Sequence, residues 1–185
     1  MSENNTQEME DFMEGCLEGA KTEVELYGNA SVIAFIRPSD NGDFSKEYLR
    51  DKENGKKPMA TIPFNTIKSG DKDDWYFLIG KFVERFGAHF SVMVAESWYS
   101  ENPETDDDGV PLYLPSEDPN RKECLVVMGV KYDDAGFVTK QLQIMQPFER
   151  RGDEIVYLEV KTMGGGDGVE ANSRLADVTS RQDLM

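Results

Sequence analysis

The chain has 185 residues, of which 36 are acidic and 20 are basic, and its formal net charge at pH 7 is −16. This length is enough for one globular domain with its own core, and the composition excludes collagen-like, coiled-coil and fully disordered chains. No stretch approaches the ~20 consecutive apolar residues of a membrane span, and the acidic N-terminus lacks the positive charge of a signal peptide. We therefore predict a cytoplasmic protein without a membrane partner.

Most of the negative charge lies in two segments of the chain. Residues 1–25 contain eight acids and one lysine, and residues 99–120 contain seven acids and no basic residue. A nucleic-acid backbone is bound through clustered lysine and arginine, so this distribution disfavours direct binding to nucleic acid. An acidic surface can bind a basic protein partner or imitate DNA, and the alternative that the acids serve solubility is favoured over imitation.

The first elements of the chain are a helix and two strands. Apolar residues spaced three and four apart predict an amphipathic helix over residues 9–24, and Gly28 ends it. Apolar runs predict strands over residues 30–37 and 59–64. Pro63 confines the second of these strands to a sheet edge or a bulge, because proline cannot donate a hydrogen bond to a neighbouring strand.

A second helix and a long strand are predicted in the middle of the chain. Residues 39–57, whose charges nearly cancel, form the loop that precedes them. Residues 71–86 place aspartates at the N-terminal end and an apolar stripe on one face, and Gly87 can adopt the left-handed conformation that ends a helix. The pattern then changes to a period of two over residues 89–99, which predicts a strand.

The second half of the chain predicts an antiparallel meander. Strand patterns over residues 123–132, 137–148 and 154–162 are joined by tight turns. We therefore predict a single α+β domain over residues 1–162, with two amphipathic helices packed on one face of a mainly antiparallel twisted sheet of about six strands. The glycine-rich and polar residues 163–185 predict a flexible C-terminal tail.

The connection over residues 99–120 is long for a compact domain and contains four of the eight prolines, and such loops are often functional. Its acidic centre is similar to a calcium-binding loop, with Glu104, Asp106 and Asp108 as candidate metal ligands. Pro115 stands where that loop needs a bidentate glutamate. A solvated acidic loop is therefore favoured over a divalent-metal site.

Two glutamates at the ends of neighbouring strands are candidate catalytic residues. Glu96 shares its strand face with apolar side chains and with Trp98, so a carboxylate there needs a partner. One interpretation is a structural ion pair between Glu96 and Arg121. The other is a carboxylate pair, Glu96 and Glu123, in which one member acts as the general acid or base of a hydrolase. We favour the ion pair.

No motif for a cofactor or an activated nucleophile is present. The chain has a single histidine, His89, and its two cysteines, Cys16 and Cys124, occupy apolar positions of the first helix and of a strand. We therefore predict inert buried thiols, no metal-binding histidine cluster and no cofactor.

Two runs of residues form a signature on either side of the long loop. They are Ala-Glu-Ser-Trp at 95–98 and Pro-Ser-Glu-Asp-Pro-Asn-Arg-Lys-Glu at 115–123. This signature resembles small uncharacterised proteins of bacteria and their phages, over residues 90–130 of the chain. The resemblance implies a bacterial or phage source and no particular activity. It draws attention to Glu96, Trp98, Arg121 and Glu123.

The expected function is that of a non-catalytic, acidic protein-interaction module, encoded by a phage, that binds a basic protein partner. The alternatives are the hydrolase with Glu96 and Glu123 and an acidic divalent-metal-binding domain. Residues 124–130 are apolar on both strand faces, which predicts either a central strand or a contact in a homo-oligomer. The candidate interaction residues are Trp98, Asp106, Asp107, Asp108, Glu117, Asp118 and Arg121.

Overall fold

The computed structural model describes residues 2–39, 59–64, 72–108, 112–113 and 117–164. Most of the predicted loop over residues 39–57 and of the predicted tail over residues 163–185 lies outside the described residues. The helices are α1 (Ser2–Tyr27) and α2 (Lys72–Phe86). The strands are β1 (Ile33–Pro38), β2 (Ala60–Pro63), β3 (Ala88–Tyr99), β4 (Lys122–Tyr132), β5 (Val138–Arg151), β6 (Glu154–Tyr157) and β7 (Lys161–Gly164).

The strands form one antiparallel sheet beside two helices, so the predicted α+β class is confirmed. The sheet order is β2-β1-β3-β4-β5-β6, and β7 also pairs with β5. This makes seven described strands, close to the about six that the pattern predicts. Strands β4 to β6 follow one another as the predicted meander, and β3 precedes them in the same sheet order. β2 lies at the sheet edge, as Pro63 predicts.

The additional strand arises because the last predicted strand is divided opposite Pro147 of β5. β7 and β6 pair with β5 on either side of this residue. Proline has no N–H to donate to the neighbouring strand, so the ladder is interrupted there. The side-chain amide of the buried Gln146 donates a hydrogen bond of 2.6 Å to Leu158 O, and Leu158 N donates to Pro147 O. The edge therefore stays hydrogen-bonded across the break.

Both helices end where the sequence predicts. Gly28 and Gly87 follow α1 and α2 with φ angles of 82° and 53°, a region that glycine enters without the steric penalty of a side chain. α1 begins earlier than the predicted residue 9, at Ser2. Neither of the described helices combines the length and the apolar character that crossing a membrane requires.

α1 packs on one face of the sheet, which we call the α1 face. Residues paired across antiparallel strands share a face, and the register places Val94, Val127 and Ile144 side by side. These side chains form a core with the buried residues of α1, among them Met13, which is fully buried. Gly129 allows the close approach of the helix, because a Cβ atom there would overlap the Met13 sulfur.

α2 packs on the opposite face, which we call the α2 face. Its Ile79 and Val83 form a second core with Met93 and Val130 of the sheet. Successive residues of a strand point to opposite faces, so Met93 and Val94 belong to different cores. The expectation that both helices pack on one face is therefore wrong. The central strands are apolar on both faces, and each face needs its own cover.

Candidate binding site

The two candidate catalytic glutamates lie on the α1 face at one end of the sheet, where Arg150 of β5 binds both. Arg150 Nε donates to the two carboxylate oxygens of Glu123 over 3.1 and 3.0 Å, and its Nη2 donates to Glu96 Oε1 over 3.3 Å. Glu96 Oε2 accepts the backbone N–H of Ala30 over 3.1 Å. All four carboxylate oxygens thus accept hydrogen bonds from within the chain. The cluster attaches the segment after α1 to the ends of three strands.

The predicted ion pair between Glu96 and Arg121 is wrong. The register places Leu125 opposite Glu96, so Arg121, which lies before the start of β4, is too far along the chain to reach it. The Arg121 guanidinium lies over the Trp98 ring instead, 4.8 Å from its centroid, in a cation–π contact. The cation beside Glu96 comes instead from β5. The sequence on either side of the long loop does not reveal that a residue of β5 lies close to Glu96.

The acidic loop, which we define as residues 101–108 together with Glu117, presents carboxylates to solvent. Asp106 Oδ1 accepts the backbone N–H of Asp108 over 3.0 Å, which stabilises the turn of the loop. Four further exposed carboxylates of the loop have no lysine or arginine within ion-pair distance in the part of the chain that the structure describes. They belong to Glu104, Asp107, Asp108 and Glu117.

Asp118, one of the predicted interaction residues, has a structural position. Its side chain is buried, and its Oδ1 accepts the backbone N–H of Asn120 over 2.7 Å. The nearby Ser100 hydroxyl and this N–H lower the pKa of the Asp118 carboxyl. The residue therefore closes the turn before β4, and its carboxylate faces the chain and not solvent.

Glu101 is an acid of the loop that the chain itself neutralises. Its carboxylate accepts hydrogen bonds from Lys122 Nζ over 2.6 Å and from Lys161 Nζ over 3.3 Å. These two bonds lower the pKa of Glu101, and the bond to Glu101 raises the pKa of Lys122. The Lys161 ammonium also lies 5.1 Å from the centroid of the Tyr99 ring. Glu101 thereby links β4 to β7 at the base of the loop.

Two acids of α1 likewise bind cations of the sheet. Glu8 Oε1 accepts from Arg37 Nε over 3.2 Å, and Glu10 Oε1 accepts from Lys140 Nζ over 2.6 Å. These four side chains are between 13% and 31% exposed, so the pairs lie at the contact between helix and sheet. The two acidic segments therefore differ. Glu8 and Glu10 hold α1 on the sheet, whereas most of the loop acids face solvent.

The predicted metal ligands do not form a coordination site. In the described ranges no group of three or more histidine, cysteine, aspartate or glutamate side chains could hold a metal ion. Glu104, Asp106 and Asp108 are all exposed along the loop. The thiols are protonated at neutral pH, because burial raises the pKa of Cys16 to about 11 and that of Cys124 to about 12.

A cavity of about 680 Å³ opens on the α2 face, beyond the part that α2 covers. Its floor is the sheet, and its walls are the first turn of α2 and the base of the acidic loop. Because methionine and aromatic side chains dominate its lining, we call it the methionine cavity. The methionines and aromatic residues of the α2 face that line it are Met93, Met128, Met145, Met163, Trp75, Tyr76, Tyr99 and Tyr113, and Trp98, which shares the strand face of Glu96, borders it at the end of β3.

The methionine cavity and the acidic loop adjoin. Pro103 and Tyr113 line the cavity, and Glu104 follows the first of them directly in the chain. Glu104 O accepts the backbone N–H of Leu112 over 2.8 Å, which holds the two segments of the loop together. Exposed negative charge therefore lies at the rim of an apolar cavity.

Sequence reasoning missed this cavity, although one signal for it was present. Residues 124–130 are apolar on both strand faces, which predicts a central strand or a contact between copies. β4 is indeed a central strand, and its Cys124, Val126 and Met128 line the cavity on the α2 face. Only the position of α2 decides that this end of the face is left open.

Comparison of the chain with protein-family models, with curated proteins and with solved structures finds no match. What the site can bind therefore follows from its own geometry. Two adjoining features carry that interpretation, the methionine cavity and the acidic loop.

Proposed function

We propose that this protein is a non-catalytic interaction module that binds a basic protein segment through the acidic loop. The observation that carries the proposal is the difference between two groups of acids. Glu8, Glu10 and Glu101 bind cations of the chain, whereas the four exposed loop acids have no such partner among the described residues. Neighbouring carboxylates within a Debye length of ~8 Å act together on an approaching cation, which favours a basic partner.

The geometry of the glutamate pair supports a structural role over the hydrolase alternative. A general acid or base must reach a proton of the substrate or of a water molecule. The oxygens of Glu96 and Glu123 are instead occupied by Arg150 and by the N–H of Ala30. Glu96 borders the methionine cavity, but Glu123 is not among the residues that line it.

The proposal is tested with a lysine-rich peptide that contains alanine and no bulky apolar residue, titrated into the protein by calorimetry. We expect binding at low ionic strength that weakens steeply as salt is added, because exposed charges are screened. A glutamate-rich peptide of the same length is the control and should not bind. Failure of the lysine-rich peptide to bind at low salt would overturn the proposed function.

A charge-matched pair of variants locates the interaction. The loop variant carries Glu104→Gln, Asp107→Asn, Asp108→Asn and Glu117→Gln. The control variant carries Asp134→Asn, Asp153→Asn, Glu154→Gln and Glu159→Gln, which remove the same charge from other exposed positions. Each exposed ion pair contributes ~0.2–1 kcal/mol, so the loop variant should bind about tenfold more weakly than the control variant. Equal weakening of both would mean that net charge, and not the acidic loop, attracts the peptide.

A further inference from the structure

The methionine cavity has the size and lining of a site for an apolar group. Its volume of about 680 Å³ lies within the range of ~300–1,000 Å³ that is usual for ligand pockets. Methionine side chains are unbranched and polarisable, so they adapt to apolar and aromatic groups of different shapes. The exposed fraction of Met163 at the rim is 46%, and Met128 on the floor is half-buried, so both can contact an occupant.

The lining offers little to a charged ligand. Among the described residues that line the cavity Glu96 alone is charged, and its carboxylate is bonded to Arg150 and Ala30 on the α1 face. The polar groups that remain are neutral, such as the Gln143 amide and the Ser97 hydroxyl. An anionic or cationic group would lose its hydration on entry without a matching partner. The interior therefore favours an aromatic or aliphatic side chain.

The charge at the rim decides among the occupants that could supply such a group. A second copy of the chain has a net charge of −16, and residues 165–185 contain four acids and two arginines. A second copy and the segment 165–185 are therefore both repelled by the carboxylates of the acidic loop. A basic segment is attracted by the same carboxylates, and it can place an apolar side chain in the cavity while its cations face Glu104 and its neighbours.

We infer that the methionine cavity receives the bulky apolar anchor of a basic peptide segment, so that the partner is recognised by one buried side chain flanked by lysines or arginines. This inference rests on the proposed function and specifies it. The buried anchor supplies affinity and register, and the acidic loop supplies the attraction and excludes acidic segments. The adaptable methionines accept more than one type of anchor.

The experiment compares the lysine-rich alanine peptide with the same peptide carrying one central tryptophan. Burial of the indole should make the tryptophan peptide bind about tenfold more tightly or better. Binding is followed by NMR of methyl-labelled methionines, because the chain carries an internal control. The methyl resonances of Met128, Met145 and Met163 should shift, whereas those of Met9 and Met13 in the α1 core should not.

A matched pair of variants tests the cavity directly. Met163→Glu places a charge at the cavity rim, and Val160→Glu places the same charge at a similarly exposed position, 43% against 46%, that is not among the lining residues. The measured quantity is the ratio of the affinities for the tryptophan and alanine peptides. The added charge changes both affinities alike, so its effect cancels in the ratio. The ratio should fall towards one in Met163→Glu and stay at about tenfold in Val160→Glu. Ser97→Trp, which fills the cavity from β3, should abolish the ratio as well.

The outcomes separate this inference from the proposed function. If both lysine-rich peptides bind with equal affinity and the cavity methyl resonances do not move, the inference is overturned and the proposed function stands. If a glutamate-rich peptide with the same tryptophan, or a small neutral indole, binds as tightly as the basic tryptophan peptide, the cavity selects an apolar ligand without regard to charge and the partner class is wrong. If no basic peptide binds at low salt, both proposals fail.

Discussion

The two faces of the sheet are covered by helices of different length, and the shorter helix leaves room for the candidate binding site. α1 has 26 residues, which corresponds to a length of about 39 Å, close to the about 40 Å of a strand with the 12 residues of β3. α2 has 15 residues and is only about 22 Å long. The longer helix covers the central strands of its face and leaves a cavity of about 420 Å³ beside β1, whereas the shorter one leaves the methionine cavity of about 680 Å³. The same residue type therefore fills a core on one face and lines a cavity on the other.

The difference in packing between the two faces is tested most strongly by shortening a methionine side chain on each face. Met13 on the α1 face is fully buried, so Met13→Ala should lower the free energy of unfolding by about 2–5 kcal/mol through lost contacts and a new void. Met128 borders a cavity that already exists, so Met128→Ala should lower it by about 1 kcal/mol or less. Denaturant unfolding of both variants measures the difference. Equal losses would mean that the two faces are packed alike.

A smaller effect is expected from adding a methyl group at the closest contact of helix and sheet. Gly129→Ala would press a Cβ atom against the Met13 sulfur and should destabilise the protein by about 1–3 kcal/mol. Gly19→Ala is the control, because no atom lies within 4 Å of a Cβ built there and the helix gains about 1 kcal/mol from alanine. Thermal unfolding should show opposite signs for the two variants. A stabilised Gly129→Ala would show that α1 is not closely packed on β4.

The smallest expected effect concerns the thiols, one on each face. Burial raises the pKa of Cys16 to about 11 and of Cys124 to about 12, from 9.0. Above pH 9 the unfolded chain therefore binds fewer protons than the folded one, and the free energy of unfolding falls as the pH rises towards these values. The loss is at most about 1.4 kcal/mol per pH unit for each thiol.

The variants Cys16→Ala and Cys124→Ala separate the two contributions. Between pH 8 and pH 10, each should lose up to about 1.4 kcal/mol less stability than the unaltered protein, and the difference should be smaller for the partly buried Cys16 than for the buried Cys124. Chemical unfolding at the two pH values provides the measurement, and the difference between pH values cancels the lost packing of the thiol. An unchanged pH dependence in Cys124→Ala would mean that water reaches this thiol through the methionine cavity.

The site could be predicted from the sequence in part. The period of two in β3 places Glu96 and Trp98 on one face, and the same reasoning brings Glu123 beside them on β4. Arg150 could not be identified as their partner, since it lies 54 residues from Glu96 in the chain and reaches it only through the pairing of β4 with β5. For the same reason the methionine cavity, which draws on α2, four strands and the loop, has no local signature.

The sequence by itself determined the local structure of this protein: the helical stripes, the alternating strands, the glycines that end both helices and the proline at the sheet edge. These features depend on side-chain periodicity and on the backbone preferences of single residues. Only the tertiary structure decided that the helices cover opposite faces, that Glu8 and Glu10 of α1 pair with Arg37 and Lys140, and that four acids of the loop have no such partner among the described residues. Those outcomes depend on which distant segments meet in the sheet, because contacts across the fold are not encoded in any one window of the chain.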